Sequence, residues 1–496
     1  MILDNLQSLH YFLPELTLII GLLVVVLCDI SLIRYRNVLN PLLTMATISL
    51  AFVLALKFYP ATGATLFQGM LALDSFSQFF KLFLLLASGL VLLASLDSAE
   101  LAPTHQGEFF ALLLSVTLGM LLLSSSINLA MLFLSFELVS LTSYIMVGYL
   151  KNDRLSNEAS LKYILFGAIA SGAMLYGFTL IYGMTGSLNL YSIRDAFLSK
   201  GLEGVDQFTV LLILVLTMAG FGFKTASVPF HFWCPDVYAG AATPVTAFLS
   251  VAPKAAGFAI LVRFFFSGMS LGGTNEWSLM SGINWPLILI GISVLTMTLG
   301  NIAALTQNNL KRMLAYSSIA HAGYIMMGVV VLNGDGLRAI LLYLVVYLFM
   351  NLGAFLVVTI IYNSDRTFDI EGYNGMFKRA PFLSVAMSIF MLSLIGIPPF
   401  AGFLGKLYIF GAVIQKGLVW FAVVGAVNAA VAAYYYMRVI KAMIIEEGNG
   451  NASPVPISLL NQGLLVALLL PNILLTIFWD PIHRWALSSV RLFGGA

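Results

Sequence analysis

Between Phe223 and Phe258 the chain carries Lys224, His231, Asp236 and Lys254, interleaved with Pro229, Pro235, Pro244 and Pro253. The flanking residues, 208–222 and 255–266, are apolar enough to lie in a bilayer. A lysine at the centre of a membrane helix costs about 2.5–3.5 kcal/mol on insertion scales. A proline there removes a backbone hydrogen bond that lipid cannot replace. Together they predict a broken helix lining a wet cavity, with ionisable groups retained to move protons or ions. The bland alternative is a snorkelling lysine near a helix end beside an ordinary proline kink.

Three further residues extend that chemistry. Glu137 lies mid-span in INLAMLFLSFELVSLTSYIMVG, with Ser140 and Tyr144 one and two turns on along the same face. A lone carboxylate there must be protonated or paired. Lys224 is the candidate partner and Lys162 a second, and a purely structural ion pair is the alternative. Lys406 follows Pro398-Pro399, and His321 sits within YSSIAHAGY. A buried lysine near a carboxylate can exchange its proton near neutral pH, as a relay requires. Histidine titrates there without help, so His231 or His321 could bridge the lysines. For His231 the alternative is an N–H that satisfies a carbonyl freed at the break. The expected arrangement is a mid-membrane axis running Glu137, Lys224, Lys254, His321, Lys406.

The elements that position these groups follow from composition. Hydrophobic residues are 60% and charged residues 9% of the chain, against about 45–50% and about 25% in soluble domains. The fold class is therefore an all-α polytopic membrane protein. A net charge of +2 offers nothing to nucleic acid. Cys28 and Cys234 form neither a disulfide framework nor a C-x-x-C motif, and no His/Cys cluster has metal-ligand spacing. AGFGFK lacks the strand, third glycine and acid of a dinucleotide site. At about 20 residues per span, about fourteen transmembrane helices are expected. The seventh (208–230) and eighth (245–266) flank the proline-rich stretch. The twelfth, 381–416, is too long for one crossing and reads as two halves around Pro398, Pro399 and Gly402. Interruptions are expected near Ser227–Pro235 and Pro398–Gly402. The start, MILDNLQSLH, lacks a basic region, so the first apolar run is expected to be retained. No stretch predicts a long lateral helix or amphipathic arm. Asp74 and Lys81 are expected to pair along one helix face, and the aromatic residues (13%) to face lipid and the interfaces.

Lys and Arg near helix ends divide ten to seven between the two faces, which places both termini on the non-cytoplasmic side. Landmarks recur about 180 residues apart: Lys224 with Lys406, Glu137 with His321, and Lys254 with Tyr436 and Arg438. This predicts two five-helix repeats, 107–266 and 283–443, preceded by three helices in 1–106 and followed by a helix and tail in 444–496. Five being odd, the second repeat must be inverted.

GFKTASVPFHFWCPDVYAGAATPVTAFLSVAPKAAGF, NIAALTQNNLKRMLAYSSIAHAGY and LSLIGIPPFAGFLGKLYIF resemble the N-subunit family of bacterial NADH:quinone oxidoreductase, the antiporter-like membrane subunits of respiratory complex I. The resemblance runs from about Glu108 to Arg438. It implies fourteen helices in inverted five-helix repeats with helices 7 and 12 broken. It implies Glu137 and Lys224 as a charged pair, Lys254 as central lysine, Lys406 as terminal lysine, and His231, His321 and Lys162 near a hydrophilic axis. Two sister subunits usually carry a His-containing run where this chain reads FLSVAPKAA, so Lys254 favours the N type. The implied activity is proton translocation in the bacterial inner membrane, coupled to quinone reduction in partner membrane-arm and redox subunits. This chain would carry no cofactor; NADH, FMN, Fe–S clusters and quinone would belong to the partners. An Mrp-type or stand-alone sodium/proton antiporter is the alternative, and a scaffold whose charges only hold helices together is another.

Overall fold

Backbone amides inside a bilayer must be bonded within their own segment, so apolar runs of this length fold as helices. A computed structural model describes residues 3–31, 35–59, 63–101, 106–200, 207–272, 276–280, 284–448 and 453–490. α1 (Asn5–Tyr11) leads into α2 (Leu13–Ser31) and α3 (Arg36–Lys57). An antiparallel hairpin of β1 (Ala64–Leu66) and β2 (Leu71–Leu73), with Thr65 opposite Ala72, precedes α4 (Ser75–Leu96). Then come α5 (Gln106–Ser125), α6 (Leu129–Val147), α7 (Arg154–Thr185) and α8 (Leu190–Lys200). α9 (Gln207–Thr225), α10 (Trp233–Gly240) and α11 (Thr243–Arg263) follow. A second antiparallel hairpin, β3 (Ser270–Gly272) with β4 (Trp277–Leu279), leads to α12 (Trp285–Leu305), α13 (Leu310–Val330) and α14 (Gly334–Asp365). The chain continues through α15 (Met376–Arg379), α16 (Pro381–Ile395), α17 (Ala401–Gln415), α18 (Val419–Ile444), α19 (Leu459–Ile477) and α20 (Asp480–Val490).

Among the described residues, 13 helices are long and apolar enough to cross a membrane, and α16 and α17 are two shorter apolar ones. Asn128, Asn309 and Asn333 cap α6, α13 and α14 through their side chains, and Asp74 closes a capping box on α4, supplying acceptors that the first turn lacks. Every residue of α11 is buried. It lies against α4, α5, α9, α13 and α14. The periphery shows apolar side chains such as Leu23, Leu50, Ile169, Leu295 and Val427, as expected of a lipid-facing surface.

Both interruptions are present, with one shift. α9 ends at Thr225 and residues 226–232, which include Pro229, are not helical. Pro235 lies instead inside the first turn of α10, where a missing N–H leaves no bond unmade. In the second interruption Gly396, at φ 87, ends α16, and Pro398 and Pro399 precede α17. Gly402 is needed for close approach, since a Cβ there would sit 1.7 Å from the Ser393 carbonyl oxygen.

Several expectations need correction. Asp74 and Lys81 do not pair with each other. Asp74 receives two bonds from Arg263, at 2.8 and 3.0 Å, and Lys81 lies 2.7 Å from Glu15. Along one face of α4 they meet different neighbours, the end of α11 and the start of α2. The aromatic residues are not mainly a lipid-facing layer, because Tyr163, Tyr238, Tyr324, Tyr343, Tyr435 and Tyr436 are fully buried. Within the expected tail, α20, with Ala486, Ser489 and Val490 buried, packs on α4 and α14; this adds to the expectation and does not correct it. Of the basic residues used to orient the chain, Arg34 and Arg491 lie outside the described residues.

Candidate functional site

Lys224 occupies the last turn of α9, directly before the first interruption. Its stem passes Gly257 of α11, where an added Cβ would come within 3.0 Å of the lysine Cγ. Its Nζ donates to Ser140 Oγ at 2.7 Å and lies 4.6 Å from the centre of the Phe136 ring. Ser140 in turn donates to the Phe136 carbonyl at 2.8 Å, so its lone pairs are free to accept from the ammonium. Glu137 does not touch Lys224. It stands one turn before Ser140, half-buried, and its Oε1 has no hydrogen-bond partner among the described residues. The expected direct pair is therefore separated, with Ser140 holding the lysine. Lys162 is not Glu137's partner either. It lies half-exposed at 38%, paired to Asp236 at 2.6 Å and Glu158 at 2.8 Å.

Lys254 projects from the middle of α11, one residue after Pro253, whose missing N–H leaves the carbonyl four residues earlier without its helical partner. The ammonium donates to Ser318 Oγ of α13 and lies 5.8 Å from the centre of the Tyr238 ring. One turn further along α13 comes His321. Its Nδ1 is 2.6 Å from Tyr343 OH and its Nε2 3.1 Å from Tyr436 OH, and Tyr436 also bonds Ser317. Hydroxyls donate or accept, so these two serve either tautomer of the ring. The next α13 residue on this face, Tyr324, presents its ring 4.8 Å from Lys406 Nζ. Tyr324 OH accepts from Asn301, which accepts from Tyr435.

Lys406 reaches back across the second interruption to the end of α16, donating to the Leu394 and Ile395 carbonyls at 3.0 and 2.7 Å. Those carbonyls have lost their helical partners, and a helix C-terminus carries partial negative charge. The two interruptions differ here: Lys406 bonds the freed end of α16, whereas Lys224, in the last turn of α9, bonds Ser140 of α6.

His231 lies in the interruption, 5% exposed, against the Phe232 ring, with Nδ1 unpartnered among the described residues. Among the described residues no hydrogen bond joins it to a lysine. Sequence reasoning missed Ser318, Tyr343 and Asn301, and had Tyr436 only as a repeat landmark beside Lys254. The hydroxyls clustered around the histidine in YSSIAHAGY were the available signal, whereas α14 and α18 offer ordinary-looking tyrosines. Among the described residues no group of three His, Cys, Asp or Glu is placed to hold a metal ion.

Comparison with known proteins identifies the family and the fold. Residues 126–432 match the family model described as NADH:quinone oxidoreductase/Mrp antiporter, TM. An NADH-quinone oxidoreductase subunit N of Anaeromyxobacter sp. (strain Fw109-5) is 42% identical, over 99% of this chain and 98% of its own length. A chain of respiratory complex I from Thermus thermophilus aligns with a TM-score of 0.80 at 31% identity, covering 97% of this chain and 100% of that one. A chain of the Mrp complex from Dietzia sp. DQ12-45-1b gives a TM-score of 0.82 at 19% identity, covering 98% and 97%. That last likeness is one of fold alone. The matches extend through the first three helices and the last, beyond the Glu108–Arg438 expected from motifs.

Proposed function

The chain belongs to the family of NADH-quinone oxidoreductase subunit N, and we propose that it moves protons through the membrane arm of that enzyme along the buried Lys, His and hydroxyl groups described above. The observation that carries this reading is the partner of each buried nitrogen. Lys224 and Lys254 each bond a serine hydroxyl, His321 two tyrosine hydroxyls, and Lys406 two freed carbonyls. Among the described residues, none of the three lysines is locked in a carboxylate pair of the kind that holds Lys81 or Arg263. A fixed ion pair resists giving up its proton, because the partner charge would be left buried and alone. A hydroxyl partner leaves no such charge and can turn from acceptor to donor. α13 supplies the connection, with Ser318, His321 and Tyr324 on one face meeting Lys254, the tyrosine pair and Lys406 in turn.

In this reading a proton arriving at one lysine raises the cost of charge at its neighbour, which passes its own proton on. Glu137, half-buried one turn from Ser140, modulates Lys224 through space. His231 serves the line through water at the first interruption, and Lys162 flanks it through Asp236. The chain lies in the bacterial inner membrane, and the quinone chemistry, with the NADH, FMN and Fe–S clusters it needs, belongs to partner subunits. α16 and α17 together make a fourteenth crossing, and 107–266 and 283–443 are inverted repeats. Lys151, Arg154, Lys311, Arg312 and Arg366 mark the cytoplasmic face, so both termini are non-cytoplasmic. The test is the rate of proton uptake, beside that of quinone reduction, in the reconstituted complex carrying Lys254→Met. Uptake should fall, and unchanged rates of both in a fully assembled variant would reject the relay.

A further inference from the structure

On the face that carries Lys151, Lys311 and Arg366, a cavity of about 1050 Å³ enters the bundle, lined among others by Glu100, Asp153 and Ala241. At its inner end two charges are almost fully covered: Lys311 at 1% and Glu100 at 7% exposure. Their charged atoms are 3.9 Å apart, yet neither spends its best bond on the other. Lys311 Nζ donates to the Ala241 carbonyl at 2.6 Å, and Glu100 Oε2 accepts from the Thr243 backbone N–H at 2.7 Å.

Those two backbone groups bracket the joint between α10 and α11. Ala241 follows the C-terminus of α10, and Thr243 is the first residue of α11, the helix that carries Lys254. A cation thus sits at the negative end of one helix and an anion at the positive end of the next, as the helix dipoles favour. At the joint, Thr243 Oγ1 is buried without a hydrogen-bond partner among the described residues. Buried hydroxyls of that kind mark places for water. The Tyr238 ring lies 5.8 Å from Lys254 Nζ.

We propose that Glu100 and Lys311 form a clamp on the α10–α11 joint that controls water and proton access between the cytoplasm-facing cavity and Lys254. Two arrangements compete. In one, each charge holds its end of the joint. In the other both let go, and the joint opens to water. Glu100 lies in the loop after α4, outside the segment matched by the family model. The N-terminal helices therefore supply a positioning residue for the relay. The inference rests on the proposed proton pathway, but its test reads access rather than transport.

The probe is Thr243→Cys in the assembled complex, with Cys28 and Cys234 replaced by serine. It is challenged with a membrane-impermeant sulfonate thiol reagent in sealed inside-out vesicles and in right-side-out cells. With the clamp intact, labelling should be slow and confined to the cytoplasmic face. Glu100→Gln keeps an acceptor for the Thr243 amide but removes the charge. It should speed labelling from that face about tenfold or more, a shift of about 1.4 kcal/mol in the balance of the two arrangements. Lys311→Met should do the same, and Lys311→Arg should not. Equal rates in all four backgrounds, or labelling only from the opposite face, would overturn the clamp. If labelling behaves as expected while Lys254→Met still pumps normally, the clamp stands and the relay reading fails.

Discussion

Removing one hydroxyl gives a sharp test of how Lys224 is held. Ser140 is its hydrogen-bond partner among the described residues, at 2.7 Å, and the Phe136 ring at 4.6 Å is a further favourable neighbour. A hydrogen bond to a charged group contributes about 1.5–3 kcal/mol. The ring contributes about 0.5–2 kcal/mol and stays in place in Ser140→Ala. Losing the hydroxyl should therefore make the charged lysine about 10- to 150-fold less populated, at 1.4 kcal/mol per tenfold. Water entering the vacated space would offset part of this, so about tenfold is the expected effect. The assay is proton uptake by liposomes carrying the purified complex, against NADH oxidation in the same sample. Ser140→Ala should lower uptake with subunit content unchanged, and Ser140→Thr, which restores a hydroxyl, should recover most of it. Full uptake in Ser140→Ala would show that Lys224 does not need this partner, and the hydroxyl-relay argument would lose its first member.

Three other outcomes follow from the same contacts. Glu137→Gln, similar in shape, should reduce pumping with assembly preserved; subunit loss with no separable pumping defect would favour a scaffold role. Tyr343→Phe and Tyr436→Phe each strip one hydroxyl from His321, at about 0.5–1.5 kcal/mol apiece. The double variant should pump less than either single one, and wild-type uptake in the double variant would remove His321 from the line. Asp74→Asn breaks a buried two-bond pair with Arg263, at about 3–5 kcal/mol. It should lower the amount of assembled complex, measured by native gel, while the complex that does assemble pumps normally per electron.

The parts of this account that could be read from sequence are those set by one segment at a time. Hydropathy located the long helices, and Pro229 and Pro398-Pro399 marked both interruptions, because lipid penalises a freed carbonyl wherever it occurs. Lys224, Lys254, His321 and Lys406 stood out as polar groups in apolar runs for the same reason. What could not be read depends on which segments meet. Asp74 and Lys81 share a helix face, but their partners Arg263 and Glu15 come from distant helices, and spacing within α4 says nothing of them. Glu137 looked like the obvious counter-charge for Lys224, yet the rotation of α6 brings Ser140 to the lysine instead. Tyr343 looked like any interfacial tyrosine, and Tyr436 was only a repeat landmark, until α14 and α18 closed around His321. Pro235 resembled Pro229 in sequence, and only the start of α10 at Trp233 shows that it begins a helix.

Lys254 is the residue on which the central claim turns, since α11 is buried along its whole length and joins the Lys224 side to α13. The direct measurement is proton uptake and quinone reduction in fully assembled complex carrying Lys254→Met, reconstituted beside the unaltered enzyme. The account predicts depressed proton uptake, with quinone reduction falling alongside it if the two are tightly coupled. Both rates equal to those of the unaltered complex would contradict it.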